Sequence, residues 1–150
     1  MRIVIQRVSQ AKVEVNKQIV GQITQGLMLL VGIENDDDEQ DAEWLTNKLC
    51  QLRIFDDPDG VMNLSIEDID GEILAISQFT LHAKTKKGNR PSYINAARPE
   101  KAEPLFNFFV NKLSERLEKN VPTGKFGEHM NVSLTNDGPV TIIIDTKKKE

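Results

Sequence analysis

Apolar residues alternate with polar ones from the first residue of the chain. In "MRIVIQRVSQAKVEVNKQIVGQI" the period-two series Ile3, Ile5 and then Val13, Val15 is interrupted at Ser9-Gln10 and at Asn16-Lys17. This predicts two or three short antiparallel strands joined by tight turns. The run from Leu27 to Ile33 is continuously apolar and bounded by Gly26 and Gly32, as expected of a strand covered on both faces and central to a sheet. From Asp38 to about Phe55 the period lengthens: Ala42, Leu45, Leu49 and Leu52 recur at helical spacing behind an acidic lead-in, and Cys50 is expected to pack there as a small apolar residue. "DDPDG" at 56–60 supplies the turn residues that end this element.

Strand character returns in "GEILAISQFTL" through Ile73, Leu74, Ile76, Phe79 and Leu81. A second helix fits "RPEKAEPLFNFFVNKLSERLEKN", with Phe109, Leu113 and Leu117 along one stripe; Pro104 requires it either to begin near Glu103 or to bend there. From Lys125 to Thr146 alternation resumes, predicting two strands on either side of Asn136-Asp137-Gly138, which spell a hairpin turn. The sum is an α+β fold: a mostly antiparallel, barrel-like sheet with two helices packed outside, in a single domain over residues 1–150.

Composition narrows the classes. At 39% hydrophobic and 28% charged residues, the chain can bury a core of its own. Its longest apolar stretch is far shorter than the roughly 20 residues that span a bilayer, so a soluble cytoplasmic protein is expected. One cysteine, Cys50, and two histidines, His82 and His129, offer no zinc-ligand spacing, and no glycine-rich phosphate loop follows any strand. Neither metal nor cofactor is expected. A net charge of -4 opposes a general nucleic-acid coat, yet Lys84, Lys86, Lys87 and Arg90 cluster in "HAKTKKGNRP" and can present one basic face, unless they are simply a solvated loop.

The usual nucleophile arrangements are missing. A strand through "SQFTLH" would put Thr80 and His82 on one face but roughly 6 to 7 Å apart, too far for a nucleophile–base hydrogen bond. His82 then reads as a polar edge residue and Phe79 as core. Any catalytic power has to come from backbone groups and positioning, which is chemically sufficient for a reactive ester. One oddity remains: Pro139, directly after the apparent turn, removes a backbone donor where a strand should begin.

Taken together, "SQFTL" (77–81) and "NDGPVT" (136–141), with "MRIVIQRVSQAKVEV" and "GNRPSYINAARPE", resemble the signature segments of the D-aminoacyl-tRNA deacylases over essentially the whole chain. The resemblance implies a homodimer that hydrolyses D-aminoacyl-tRNA, or glycine mischarged on tRNA, at sites formed between subunits. It implies a cis Gly138-Pro139 bond whose carbonyls face the incoming aminoacyl group of the other subunit, reading chirality by exclusion, with Arg7 set against that loop. It further implies catalytic backbone N–H groups near Phe79 and Thr80, and polar contacts from Ser77 and Gln78. Thr80 stays open between nucleophile and positioning hydroxyl, with direct attack by water, assisted by the ribose 2′-hydroxyl, preferred. The alternatives are a noncatalytic RNA-binding module using Lys84 to Arg90, and a threonine-nucleophile esterase.

Overall fold

The computed structural model describes residues 1–150. Strand β1 (Arg2–Val15) is continuous, so the expected break at Ser9-Gln10 is not a turn. Those two residues are exposed while the strand shifts register against its neighbour on either side of Val8, and it continues beyond them. Asn16 and Lys17 do form a turn: both hold left-handed backbone (φ 51° and 64°), the pair of conformations a tight hairpin of primed type requires. The hairpin leads into β2 (Gln18–Ile23), and β3 (Gly26–Gly32) follows. β2 and β3 take successive halves of one edge of β1, pairing antiparallel with Ala11–Val15 and Arg2–Val8 respectively.

Helix α1 (Glu39–Cys50) starts at a reciprocal capping box: the Asp41 N–H donates to the Asp38 carboxylate, and the Asp38 N–H to the Asp41 carboxylate, both at 3.1 Å. It is shorter than its apolar spacing predicts, and Leu52 lies beyond its end. The "DDPDG" segment joins two very short strands, β4 (Phe55–Asp56) and β5 (Met62–Leu64), a hairpin too short for periodicity to reveal. β6 (Glu72–Ser77) then pairs parallel with β3, the one parallel ladder of the main sheet.

β6 stops at Ser77, and Phe79–His82 wind into a single 3-10 turn where strand was expected. Helix α2 (Pro99–Leu117) begins earlier than Glu103, with Pro99 in its first turn. It runs through Pro104, which is exposed along with Glu100, so the carbonyl left without its N–H partner is on the solvent side. The last strand, β7 (Asn131–Asp145), is one 15-residue strand along the whole other edge of β1, not two strands around a turn.

β3 explains its own uninterrupted apolar run. Leu27, Leu29 and Val31 join Ile3, Ile5, Leu45, Leu49, Phe109 and Leu113 beneath the helices, while Met28 packs on the opposite face with Val8, Val13, Leu74 and Ile76. Both faces are covered because the sheet curls over its second cluster as a half-barrel. No helix is long and apolar enough to cross a membrane.

Candidate active site

Between the paired positions Gln6↔Thr141 and Val8↔Asn136, β1 has a single residue, Arg7, where β7 has four, Asp137 to Val140. The extra residues bulge from the strand as a loop whose neck is closed by side chains. Asn136 accepts a hydrogen bond from the Val140 N–H at 3.0 Å and donates to Thr141 Oγ1 at 3.1 Å and to Gln6 Oε1; Thr141 also donates to Gln6 Oε1 at 2.7 Å. Thus the "NDG" that reads as a hairpin is a bulge within one strand, its asparagine serving as a brace. Asn136, Gln6 and Thr141 were not anticipated; an amide followed four residues later by a bare N–H beyond a proline is the signal that could have found them.

Arg7 sits opposite the loop and is only 6% exposed. Its Nε donates to the Asp137 carbonyl at 3.0 Å, and its Nη1 to the Ile54 carbonyl at 2.8 Å and to Asp56 Oδ1 at 3.1 Å. Gly138 has φ +132°, and a Cβ there would lie 2.9 Å from Val140 Cγ2 and 3.1 Å from Arg7 Nη2. Only glycine fits both the conformation and the space. The Gly138–Pro139 peptide is cis, and both residues are exposed.

The second cluster lies at the carboxyl ends of the parallel pair β3 and β6. There a cavity of about 570 Å³ is lined by Val31, Ile33 and Ile76 together with Ser77, Gln78 and Phe79. Tyr93, Ala96 and Ala97 line it as well, and His129 contributes from the segment before β7. Phe79 is 56% exposed, not core, and its ring meets Tyr93 edge-on with centroids 5.0 Å apart. Tyr93 was missed as a lining residue; an aromatic inside the polar run "KKGNRPSYIN" was its signal.

The Gln78 N–H donates to the Val31 carbonyl at 2.8 Å, which seats the start of the 3-10 turn on β3. The first bond closed by the turn runs from the Leu81 N–H to the Gln78 carbonyl, so the Phe79 and Thr80 amides precede its ladder. Thr80 is exposed, and its hydroxyl accepts from Gln78 Nε2. His82 does not share its face: the turn carries the imidazole inward to 3% exposure, against the edge position expected of it. Cys50 is equally unsuited to nucleophilic chemistry, since burial pushes its thiol up to about 11.

Ser77, Gln78 and Phe79 therefore meet at the cavity, with Thr80 beside them, while Arg7, Gly138 and Pro139 form a separate group. In β3, four rows separate Leu27, paired with Arg7, from Val31, paired with Ser77. That is roughly 13 Å along the strand. Lys84, Lys86, Lys87 and Arg90 are all exposed in the loop between the 3-10 turn and Tyr93, closed at its base by the Lys84–Ser92 bridge.

Comparison with known proteins bears on this arrangement. Residues 4–145 match the model of the family described as D-Tyr-tRNA(Tyr) deacylase. Curated D-aminoacyl-tRNA deacylases from Flavobacterium psychrophilum and Bacteroides fragilis are each 59% identical over 150 residues, covering the whole of both chains. The solved structure of a c-Myc DNA unwinding element binding protein superposes with a TM-score of 0.90 at 38% identity, over 97% of this chain and 98% of that one. A probable eukaryotic D-amino acid tRNA deacylase shares the fold, with a TM-score of 0.82 at 18% identity over 95% of this chain and 97% of its own. The chain belongs to the D-Tyr-tRNA(Tyr) deacylase family, a family of aminoacyl-tRNA deacylases.

Proposed function

We propose that this enzyme hydrolyses the ester between a D-amino acid, or glycine mischarged on tRNA(Ala), and the terminal ribose of tRNA, and that it does so as a homodimer. Water adds to the ester carbonyl carbon, and the oxyanion that forms is received by the Phe79 and Thr80 amides. The carbon–oxygen bond to ribose then breaks, and the departing ribose oxygen takes up a proton. The neighbouring ribose hydroxyl assists the proton transfer, with Ser77 and Gln78 holding the terminal nucleoside.

The observation that carries this reading is the turn itself: two backbone amides outside its ladder, with Phe79 lining the cavity and a neighbouring threonine that has no basic partner. Removing one oxyanion donor typically costs about 3 to 4 kcal/mol of barrier, so amides alone can supply most of the acceleration a labile ester needs. The Gly138 loop of one protomer is proposed to enter the cavity of the other, its carbonyls accepting from the substrate ammonium and leaving no room for an L side chain. Support comes from its projection into solvent, its distance from the cavity of its own chain, and the unpaired outer edge of β7, where Ile143 is 66% exposed. The exposed Lys84, Lys86, Lys87 and Arg90 are assigned to the tRNA backbone, and such a substrate places the work in the cytoplasm.

Incubation with D-tyrosyl-tRNA and L-tyrosyl-tRNA tests the reading. The D-ester is expected to be lost rapidly and the L-ester at its spontaneous rate, with Thr80→Ala retaining much of the activity. Decay of both at the rate seen without protein would remove the deacylase function and leave an RNA-binding module. An acyl-threonine trapped by rapid quench would replace water with Thr80 as the attacking group.

A further inference from the structure

His82 is a buried titratable group to which the hydrolytic steps assign nothing. It ends the 3-10 turn that carries Phe79 and Thr80. Its Nδ1 lies 3.2 Å from Glu34 Oε1, close but off the axis of a linear hydrogen bond, and Nε2 meets no polar partner. The ring packs against Gly32, where a Cβ would come within 2.9 Å of Nε2 and 3.0 Å of Cδ2. The absent side chain at position 32 is thus what admits the imidazole.

Glu34 is tied to the segment that carries Ala96 and Ala97. Its backbone bridges Ala96, the neighbouring Ala97 N–H donates to the Ile33 carbonyl at 2.9 Å, and its own N–H donates to Asp37 Oδ2 at 2.7 Å. Ala96 and Ala97 line the same cavity as Ser77, Gln78 and Phe79. The same end of the turn is also held by Arg2 Nη1, which donates to the Leu81 carbonyl at 2.8 Å. His82 and Glu34 therefore set a side chain at the end of the turn beside one from the segment tied to Ala96 and Ala97.

We propose that His82 is a positioning residue: with Glu34 it clasps the 3-10 turn to the segment bearing Ala96 and Ala97, fixing the Phe79 amide relative to the bound ester and setting the Phe79–Tyr93 contact. This rests on the deacylase reading. The clasp acts on geometry at the reacting carbon and leaves the basic loop untouched, so it governs kcat and not KM; misplacement of reacting groups by a fraction of an ångström costs about tenfold or more in rate.

The test uses His82→Leu, His82→Asn and Glu34→Ala as single variants, and His82→Leu combined with Glu34→Ala, in steady-state hydrolysis of D-tyrosyl-tRNA and in amide hydrogen exchange. His82→Leu is expected to lower kcat about tenfold with KM changed by less than about twofold, and to speed exchange of the 79–82 amides while 72–77 stay protected. His82→Asn, which sets an amide nitrogen where Nδ1 stood, retains most of kcat. The double variant is no slower than either single one, as two halves of one contact require. Wild-type kcat in His82→Leu, a loss in His82→Asn as deep as that in His82→Leu, or additive losses in the double variant would each overturn the clasp. Should His82→Leu fail to fold, Glu34→Ala, whose side chain reaches solvent, carries the same prediction alone. A wild-type protein that releases no D-tyrosine strikes the deacylase reading instead.

Discussion

The loop from Asn136 to Val140 is braced by polar contacts at its neck and leaves Gly138 and Pro139 exposed at its tip, whereas the turn from Phe79 to His82 leaves two amides and two aromatic rings beside an open cavity. In the loop, Arg7 and Asn136 between them fix the Asp137 carbonyl and the Val140 N–H from opposite sides of the neck. The turn depends on the Gln78 N–H to Val31, on Arg2 at Leu81 and on His82 near Glu34. A segment that excludes by shape has to be rigid before its ligand arrives, because an exclusion that yields does not discriminate. A segment that receives developing charge needs oriented donors left unspent by secondary structure. In the proposed function the loop has the first of these tasks and the turn the second.

Cutting the loop's anchor is the most damaging way to probe the contrast. Arg7→Ala strands the Ile54 and Asp137 carbonyls together with Asp56 and is expected to destabilise the fold by about 3 kcal/mol, read by denaturant unfolding, and to lower D-ester hydrolysis more than about a hundredfold. Arg7→Lys should recover little, because one ammonium cannot reproduce the guanidinium fork.

At the turn, Phe79→Pro removes a single N–H at a first-turn position that tolerates proline, and kcat should fall about 10² to 10³-fold. Phe79→Ala, which keeps the amide and loses the ring, should cost only several-fold. Equal losses in the two variants would assign the effect to the aromatic contact. Replacing Lys86, Lys87 and Arg90 together by alanine should raise KM about tenfold, leave kcat unchanged, and make the salt dependence of binding shallower by roughly 2 to 3 in log–log slope.

The smallest effect concerns acid. Burial disfavours ionisation of Asp145, but the Lys147 amide and the Arg2 guanidinium, at 2.8 to 3.0 Å, outweigh it and hold the carboxyl below its ordinary range. A depressed folded-state value gives stability that is complete above the unfolded value and drains away as pH falls through the folded one. Asp145→Asn should therefore flatten the thermal-stability profile below about pH 4 and change it little near neutrality. Because Arg2 also holds Leu81, the same variant should loosen the turn and leave the Gly138 loop alone.

The sheet and both helices are legible because burial writes a period into the chain. β3, covered on both sides, reads as unbroken apolar sequence, and α1 announces its start through Asp38 and Asp41. The errors share a different origin. Ser9-Gln10 and Asn136-Asp137-Gly138 carry the composition of turns, but the two strands they interrupt pair along their entire length, and that long-range pairing overrides a local preference. Phe79 and Leu81 continue the alternation of β6, so nothing in their spacing distinguishes a strand from a 3-10 turn; the chain leaves the ladder only after the Gln78 N–H to Val31 bond, where the Leu81 N–H turns back to the Gln78 carbonyl. His82 reads as an edge residue because its burial depends on the missing side chain of Gly32, far earlier in the chain. The site residues came from resemblance, while their braces, Gln6, Asn136 and Glu34, needed coordinates.

Subunit complementation tests the central claim most directly. A Gly138→Ala chain, its loop disabled, and a Phe79→Pro chain, its turn disabled, would be mixed under conditions that let protomers exchange, and D-tyrosyl-tRNA hydrolysis followed. If the loop of one protomer completes the cavity of another, each mixed dimer regains one intact site and about a quarter of wild-type activity returns from a statistical mixture. If each chain builds its site alone, the mixture stays as inactive as its two components, and the account is contradicted.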